Sequence, residues 1–305
     1  VTTSTTYPPA EEIPASAMAL TTMAVVGAGT MGSGIAQTLA LTAFQRVLLY
    51  DPYDASLQKA EKTIQASLQK LVDKGKLPDA QRQEALERLQ LTTEMTLLKD
   101  AQCVIEAAPE DLSLKGKIFA QLADILSPEA ILASNTSALS ITQLAQHTAR
   151  PGRLLGVHFF NPVPVLPLVE VIEGQHTQPD VTATALGLVR RIGKTPVLVK
   201  ESPGFVVNRI LIPMINEAAT LLGENVATPQ DIDTAMRLGA NHPIGPLALA
   251  DLVGLDVCLA IMDTLKAGLA PNSPKYEAAP LLRQKVAEGK LGRKTGEGFY
   301  TYDAR

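Results

Sequence analysis

The segment "MAVVGAGTMGSGIAQTLAL", residues 23–41, decides the fold. Its first part is an apolar run that reads as a buried strand, and its last part is apolar at helical spacing. Between them Gly27, Ala28, Gly29, Thr30, Met31 and Gly32 spell G-x-G-x-x-G. Alone that pattern is weak, because glycines also serve plain turns. Here it joins a strand to a helix, and a second strand, "RVLLYD", ends on Asp51, nineteen residues after Gly32. That context reads as a dinucleotide-binding turn. Gly27 permits the tight turn, Gly29 lets the backbone approach a pyrophosphate at the positive end of the helix, and Gly32 lets helix and strand pack closely. Gly27, Gly29, Thr30, Met31 and Gly32 are therefore expected cofactor contacts. The Asp51 carboxylate suits the two hydroxyls of an adenosine ribose and would repel a 2′-phosphate, which favours NAD over NADP. The plainer alternative is that Asp51 only starts a turn before Pro52.

Outward from this segment, strands and helices alternate. A long helix is expected from about Ala55 to Lys74, with Leu57, Ala60, Ile64, Leu68 and Leu71 at steps of three and four. A second helix from about Asp79 to Leu89 completes an inserted hairpin. Strands follow at "CVIEAA", "AILAS", "LLGVHF", "LVEVI" and "PVLVK", with helices between most of them. This predicts an α/β fold with a Rossmann-type, doubly wound, mostly parallel sheet. After about residue 200 only helices are expected, so the domains read as 23–200 and 201–305. Residues 1–22, rich in Thr, Pro, Ala and Ser without periodicity, read as a flexible N-terminal arm. The first basic side chain is Arg46, which argues against a targeting peptide. In the helical domain "ILIPMINEAATLLGE" and "LALADLVGLDVCLAIMDTL" read as helices apolar around much of their circumference. They fit either burial against a second subunit, giving a homodimer, or ordinary core packing.

The chain has 305 residues, 46% hydrophobic and 19% charged, with a formal net charge of −4. This suits a compact protein and gives no electrostatic reason to expect nucleic acid. No apolar run is long enough for a membrane span. Cys103 and Cys258 each lie in an apolar stretch and read as buried thiols, suggesting a reducing, cytoplasmic compartment. No metal site is expected.

A second stretch, "GVHFFNPVPVLPLVEVI", carries the chemistry. His158 ends one strand and Glu170 lies inside another. A lone strand-end histidine is by default a satisfied core residue, but this one falls at the sheet edge where dinucleotide-binding folds hold ligands. A buried glutamate is costly unless paired, and an imidazolium is its natural partner. With a carboxylate on one ring nitrogen, the other can take a proton from an alcohol. A nicotinamide cofactor beside such a base implies alcohol oxidation by hydride transfer.

From about Met23 to Asp303 the chain resembles the (S)-3-hydroxyacyl-CoA dehydrogenase family, most closely its single-function 3-hydroxybutyryl-CoA type. The resemblance rests on "VVGAGTMGSGIAQ", "LYDP", "VIEAAPEDLSLKGKIF", "ILASNTSALSIT", "VHFFNPVPVLPLVEVI", "GKTPVLVKESPGFVVNRIL", "IGPLALADLVGLDV" and "LGRKTGEGFYTYD". It implies that His158 is the base and Glu170 its partner, and that Ser137 and Asn208 hold substrate near the base. It further implies that Asp51, Glu110, Lys115, Ser137, Asn161 and Lys294 contact NAD, and that Ser67 and Lys74 contact the coenzyme A of an acyl-CoA. Without it, Ser67 and Lys74 would read as a solvated helix face, and Asn208 equally as a helix-start residue. The chain departs from the family pattern in three places. "TAFQRVLLYD" lacks the usual glycine and histidine, Pro109 and Asp111 flank Glu110, and Pro167 replaces a basic or polar residue, which bears on acyl-chain preference. The competing readings are a polyol or hydroxy-acid dehydrogenase of the same superfamily, a lysine-dependent β-hydroxyacid dehydrogenase, and a non-catalytic NAD-binding structural protein. The lysine-dependent class lacks the "HFFNP" histidine, and a structural protein would be expected to have lost a catalytic residue.

Overall fold

The computed structural model describes residues 13–42 and 44–302. The chain divides into two units, Val1–Glu201 and Ser202–Arg305. In the first, a short helix α1 (Ala15–Met18) precedes β1 (Thr22–Val26), α2 (Thr30–Ala40) and β2 (Arg46–Tyr50). The inserted hairpin is α3 (Asp54–Asp73) and α4 (Asp79–Arg88). Then come β3 (Leu89–Thr92), β4 (Cys103–Glu106), α5 (Leu112–Ile125), β5 (Ile131–Ser134), α6 (Ile141–Ala145) and β6 (Leu154–Phe159). β7 (Leu168–Glu173), α7 (Pro179–Arg191) and β8 (Thr195–Lys200) close the unit.

The strands form one eight-stranded sheet in the order β3-β2-β1-β4-β5-β6-β7-β8. Every pair is parallel except β6–β7. The order reverses between β1 and β4, which opens a crevice at their carboxyl ends. The central strands are buried on both faces: β1, β4, β5 and β6 have almost no exposed residue. Both faces are covered, so these strands read as continuous apolar runs.

Two local features depart from the expectation. β3, "LQLT", is a strand that its sequence does not announce. It is an edge strand with only Leu89 buried, so it lacks an apolar run, and it follows α4 without a turn signal. Residues 13–22 are not a loose arm. The Arg191 guanidinium of α7 donates to the carbonyls of Ala17 (2.8 Å) and Leu20 (2.7 Å), and Thr184 Oγ1 donates to Ser16 Oγ (2.7 Å). A four-residue helix is too short to show periodicity, so composition alone hides it. Residues 1–12 of the expected arm lie outside the described residues.

The second unit contains α8 (Val207–Gly223), α9 (Pro229–Gly239), α10 (Pro246–Val253), α11 (Leu255–Leu269) and α12 (Pro280–Ala287). The stretch expected as one long helix is broken at Gly254, whose φ of +107° no helix accommodates. The final turn, "GEGFYTY", is held by the buried Asp251 carboxylate, which accepts from Phe299 N, Tyr300 N and Tyr302 OH at 2.9–3.0 Å. Among the described residues no helix is long and apolar enough to cross a membrane.

Candidate active site

The glycine turn sits at the crevice. Gly27 has φ +101°, and a Cβ there would lie 2.8 Å from Ala107 O. A Cβ on Gly32 would lie 1.7 Å from Gly27 O, so helix and strand meet only because that side chain is missing. Gly29 is different: a Cβ there would meet nothing within 4 Å. Internal packing does not demand glycine at this point, whereas a phosphate drawn close to the backbone does. Gly29 is also the N-cap of α2 and makes no side-chain cap, so it leaves the N-terminal end to a ligand. Beside it is a cavity of about 720 Å³ lined by Gly29, Asp51, Tyr53, Met95, Ala107 and Ile118, among others. Asp51 directly follows β2 and stitches the crevice: Oδ2 accepts from Ala28 N (2.9 Å) and Oδ1 from Tyr53 N (3.0 Å). The carboxylate thus starts a turn and also lines this cavity. These features fit an adenine dinucleotide.

At the carboxyl ends of β4 and β5 a buried charge cluster lies next to the crevice. The Lys115 side chain is 1% exposed. Its Nζ donates to Glu106 Oε1 (2.6 Å) and Ala108 O (3.0 Å) and stands 3.4 Å from Glu110 Oε2. Ser134 Oγ donates to the other Glu106 oxygen at 2.6 Å. Burial pushes the Glu106 carboxyl above its ordinary value, against the opposing pull of Lys115 and Ser134. Glu110 moves the other way. Burial alone would raise it, but the Lys115 charge and hydrogen bonds from Thr136 and Ser137 outweigh that and hold it low. Glu110 Oε1 accepts from Thr136 Oγ1 (2.6 Å), Ser137 N (2.8 Å) and Ser137 Oγ (3.1 Å). Glu106 and Thr136 were not singled out from the sequence. Glu106 was within reach, since a carboxylate inside the apolar run "CVIEAA" needs a partner, and Lys115 is the first basic residue on the next helix. Asp111, one of the departures from the family pattern, is the N-cap of α5, accepting from Leu114 N at 2.7 Å.

His158 and Glu170 meet across the one antiparallel pair. They are register partners on β6 and β7, and His158 Nδ1 lies 2.8 Å from Glu170 Oε2. Both are buried, at 6% and 1% exposure. The imidazole also stacks obliquely on Phe160, with centroids 4.4 Å apart. Asn135 Oδ1 accepts from Phe159 N (2.9 Å) and so fixes the end of β6. Asn161 follows and lines a second cavity of about 380 Å³, together with Gly29, Ser33, Gln37, Ile64 and Ser67. Ser67 thus faces the site from α3. Lys74, seven residues on, caps the exposed carboxyl end of that helix.

Asn208 and Lys294 belong to the second unit. Asn208 lies in the first turn of α8. Lys294 lies in a 3-10 turn, where Nζ is 2.6 Å from both carboxylate oxygens of Asp256.

Two family descriptions cover the chain: "3-hydroxyacyl-CoA dehydrogenase, NAD binding domain" matches residues 22–202, and the corresponding C-terminal domain matches residues 204–302. A 3-hydroxybutyryl-CoA dehydrogenase of Clostridioides difficile is 49% identical over 92% of this chain and 99% of its own length. A probable 3-hydroxybutyryl-CoA dehydrogenase of Deinococcus radiodurans is 48% identical over 91% and 99%. The crystal structure of (S)-3-hydroxybutyryl-CoA dehydrogenase from Ralstonia eutropha superposes with a TM-score of 0.90 at 50% identity, covering 93% of this chain and all of that one. With both domain descriptions matched in order over nearly its whole length, the chain belongs to the 3-hydroxyacyl-CoA dehydrogenase family.

Proposed function

We propose that this chain interconverts (S)-3-hydroxyacyl-CoA and 3-oxoacyl-CoA with NAD, acting on short acyl chains such as 3-hydroxybutyryl-CoA. The observation that carries the reading is the His158–Glu170 pair, 2.8 Å apart at the sheet edge that holds the dinucleotide turn. NAD held at the glycine turn and Asp51 would supply the hydride acceptor for C3 in oxidation, and NADH the hydride donor in reduction. With Nδ1 committed to Glu170, Nε2 of His158 takes the 3-hydroxyl proton in oxidation and gives it back to the forming hydroxyl in reduction. Glu170 fixes the ring orientation and stabilises the imidazolium. Ser137 and Asn208 hold the substrate oxygen, and Asp51 receives the adenosine ribose. Lys115 acts through Glu110, which it anchors beneath Ser137, while Asn161 and Lys294 complete the cofactor contacts. Ser67 and Lys74 serve coenzyme A, with Lys74 as a point charge for a phosphate.

The protein works as a homodimer through its helical unit. This is supported by apolar side chains left open on α8, α10 and α11: Ile210 is 69% exposed, Leu252 53% and Val257 39%. A reducing, cytoplasmic setting fits two buried thiols that form no disulfide.

The test is NADH oxidation with acetoacetyl-CoA, with longer 3-oxoacyl-CoA esters and with free acetoacetate. Turnover of acetoacetyl-CoA in strong preference to free acetoacetate is expected. Equal use of the free acid would overturn the coenzyme A part of the reading.

A further inference from the structure

Gln37 lies on α2, one turn beyond the glycine-rich start, and is 2% exposed. Its amide nitrogen is buried and has no hydrogen-bond partner among the described residues. Buried polar groups are almost always paired, so an orphan amide marks a place where something else binds. Gln37 lines the cavity of about 380 Å³ whose wall also holds Ser67, Asn161 and Val163. Gly34 and Val163, also in the lining, pack closely: a Cβ on Gly34 would lie 2.8 Å from Val163 Cβ. The lining mixes apolar side chains with hydroxyls, Lys59 and two primary amides, Gln37 and Asn161, and of these amides Gln37 is the one whose buried nitrogen has no partner among the described residues. The cavity runs from the glycine turn, past the residue that follows the base strand, to the inserted helix.

From this geometry we infer that Gln37 binds a secondary amide of the pantetheine arm of the acyl-CoA. The chemistry matches. A pantetheine arm is a thin, mostly apolar chain interrupted by amides, each with one donor and one acceptor, and a glutamine amide complements either face. The inference rests on the acyl-CoA reading above. It adds a contact close to the thioester, where Ser67 and Lys74 address the distant part of the coenzyme.

The experiment compares wild type with Gln37→Met, which keeps volume and loses both polar atoms. The substrates are acetoacetyl-CoA, acetoacetyl-N-acetylcysteamine, which keeps the first amide, and S-ethyl acetothioacetate, which has none. The variant is expected to raise KM for acetoacetyl-CoA about 3- to 10-fold with kcat nearly unchanged, the effect of one lost neutral hydrogen bond in uniform binding. The S-ethyl ester should show no difference between the two proteins. The cysteamine ester shares the loss if Gln37 meets the first amide and escapes it if Gln37 meets the second. An equal loss on all substrates would mean packing and overturn the inference. So would no loss on any, or a raised KM for NADH alone, which would assign the slot to the dinucleotide. Should Gln37→Met fail to fold, wild type is assayed with the cysteamine and pantetheine thioesters and with analogues in which one amide is replaced by a saturated hydrocarbon link, which removes the carbonyl that the Gln37 nitrogen would donate to. At least one replacement must cost a similar factor, and full activity with every analogue overturns the inference. Wild type inactive on acetoacetyl-CoA would remove the acyl-CoA reading itself, whereas active wild type with an unaffected variant removes only the role of Gln37.

Discussion

His158 and Glu170 stand directly opposite each other because β7 returns antiparallel to β6, and this register places Nδ1 2.8 Å from Oε2. Glu170→Gln keeps the shape and an acceptor but removes the charge that offsets the imidazolium. We predict at least about a tenfold fall in kcat for acetoacetyl-CoA reduction, equivalent to ~1.4 kcal/mol of lost transition-state stabilisation. The dissociation constant for NADH should stay within about twofold of wild type, since the pair is not part of the ribose or pyrophosphate site. Steady-state kinetics and a fluorescence titration check both, and a wild-type rate would leave Glu170 without the role given to it.

At the other end of the crevice, Asp51 accepts from two backbone N–H groups and lines the cavity beside the glycine turn. Asp51→Ala should weaken NADH by about 10- to 100-fold, the range for hydrogen bonds to a charged group. It should also narrow the advantage of NADH over NADPH, because the repulsion of a 2′-phosphate goes with the carboxylate. Titration of both cofactors measures this. A wild type that prefers NADPH would show that β2 has been misread.

The Glu106–Lys115 pair is buried on both sides, with side-chain exposures of 0% and 1%. Glu106→Gln leaves the ammonium with only the more distant Glu110 as counter-charge. Breaking such a pair from one side costs about 3–5 kcal/mol, whereas replacing both members by apolar residues costs less. We therefore expect Glu106→Gln to lower the denaturation midpoint sharply. The double variant Glu106→Gln with Lys115→Met should recover part of the loss. A single variant as stable as wild type would show that the pair contributes nothing.

Glu110 supplies the pH dependence. Its folded carboxyl is held below its ordinary value of 4.5. A depressed carboxylate contributes stability above the unfolded value and loses it as pH falls through the folded one. Wild type should thus exceed Glu110→Gln in melting temperature at pH 7, with the gap closing below about pH 4.5. The side chain is 38% exposed, so solvent screening keeps the effect modest. A gap that widens toward acid pH would contradict the sign.

Much of this arrangement was readable in the residues themselves. The glycine turn, Asp51 and the alternation of strand and helix lie in contiguous segments, where local geometry and binary pattern agree. The pairing of His158 with Glu170 was also readable, because a carboxylate in an apolar strand demands a partner. Its cause was not: the antiparallel return of β7 depends on the loop from Asn161 to Pro167, whose path no periodicity encodes. β3 escaped because an edge strand buries one residue and needs no apolar run. The break at Gly254 escaped because apolar residues continue on both sides of it, and only its positive φ separates two helices. The link from Lys115 through Glu110 to Ser137 joins one helix to the ends of two strands, and its step from Glu110 to Ser137 spans 27 residues, so it appears only once the sheet is assembled.

Whether His158 moves the proton of the 3-hydroxyl group is measured most directly by single-turnover reduction of acetoacetyl-CoA by enzyme-bound NADH in His158→Gln. General acid–base help of this kind is worth about 10²–10⁴-fold. The rate of the chemical step should fall by at least about 10², with NADH binding retained. A rate within about threefold of wild type, a loss of under ~0.7 kcal/mol of stabilisation, would contradict that role for His158.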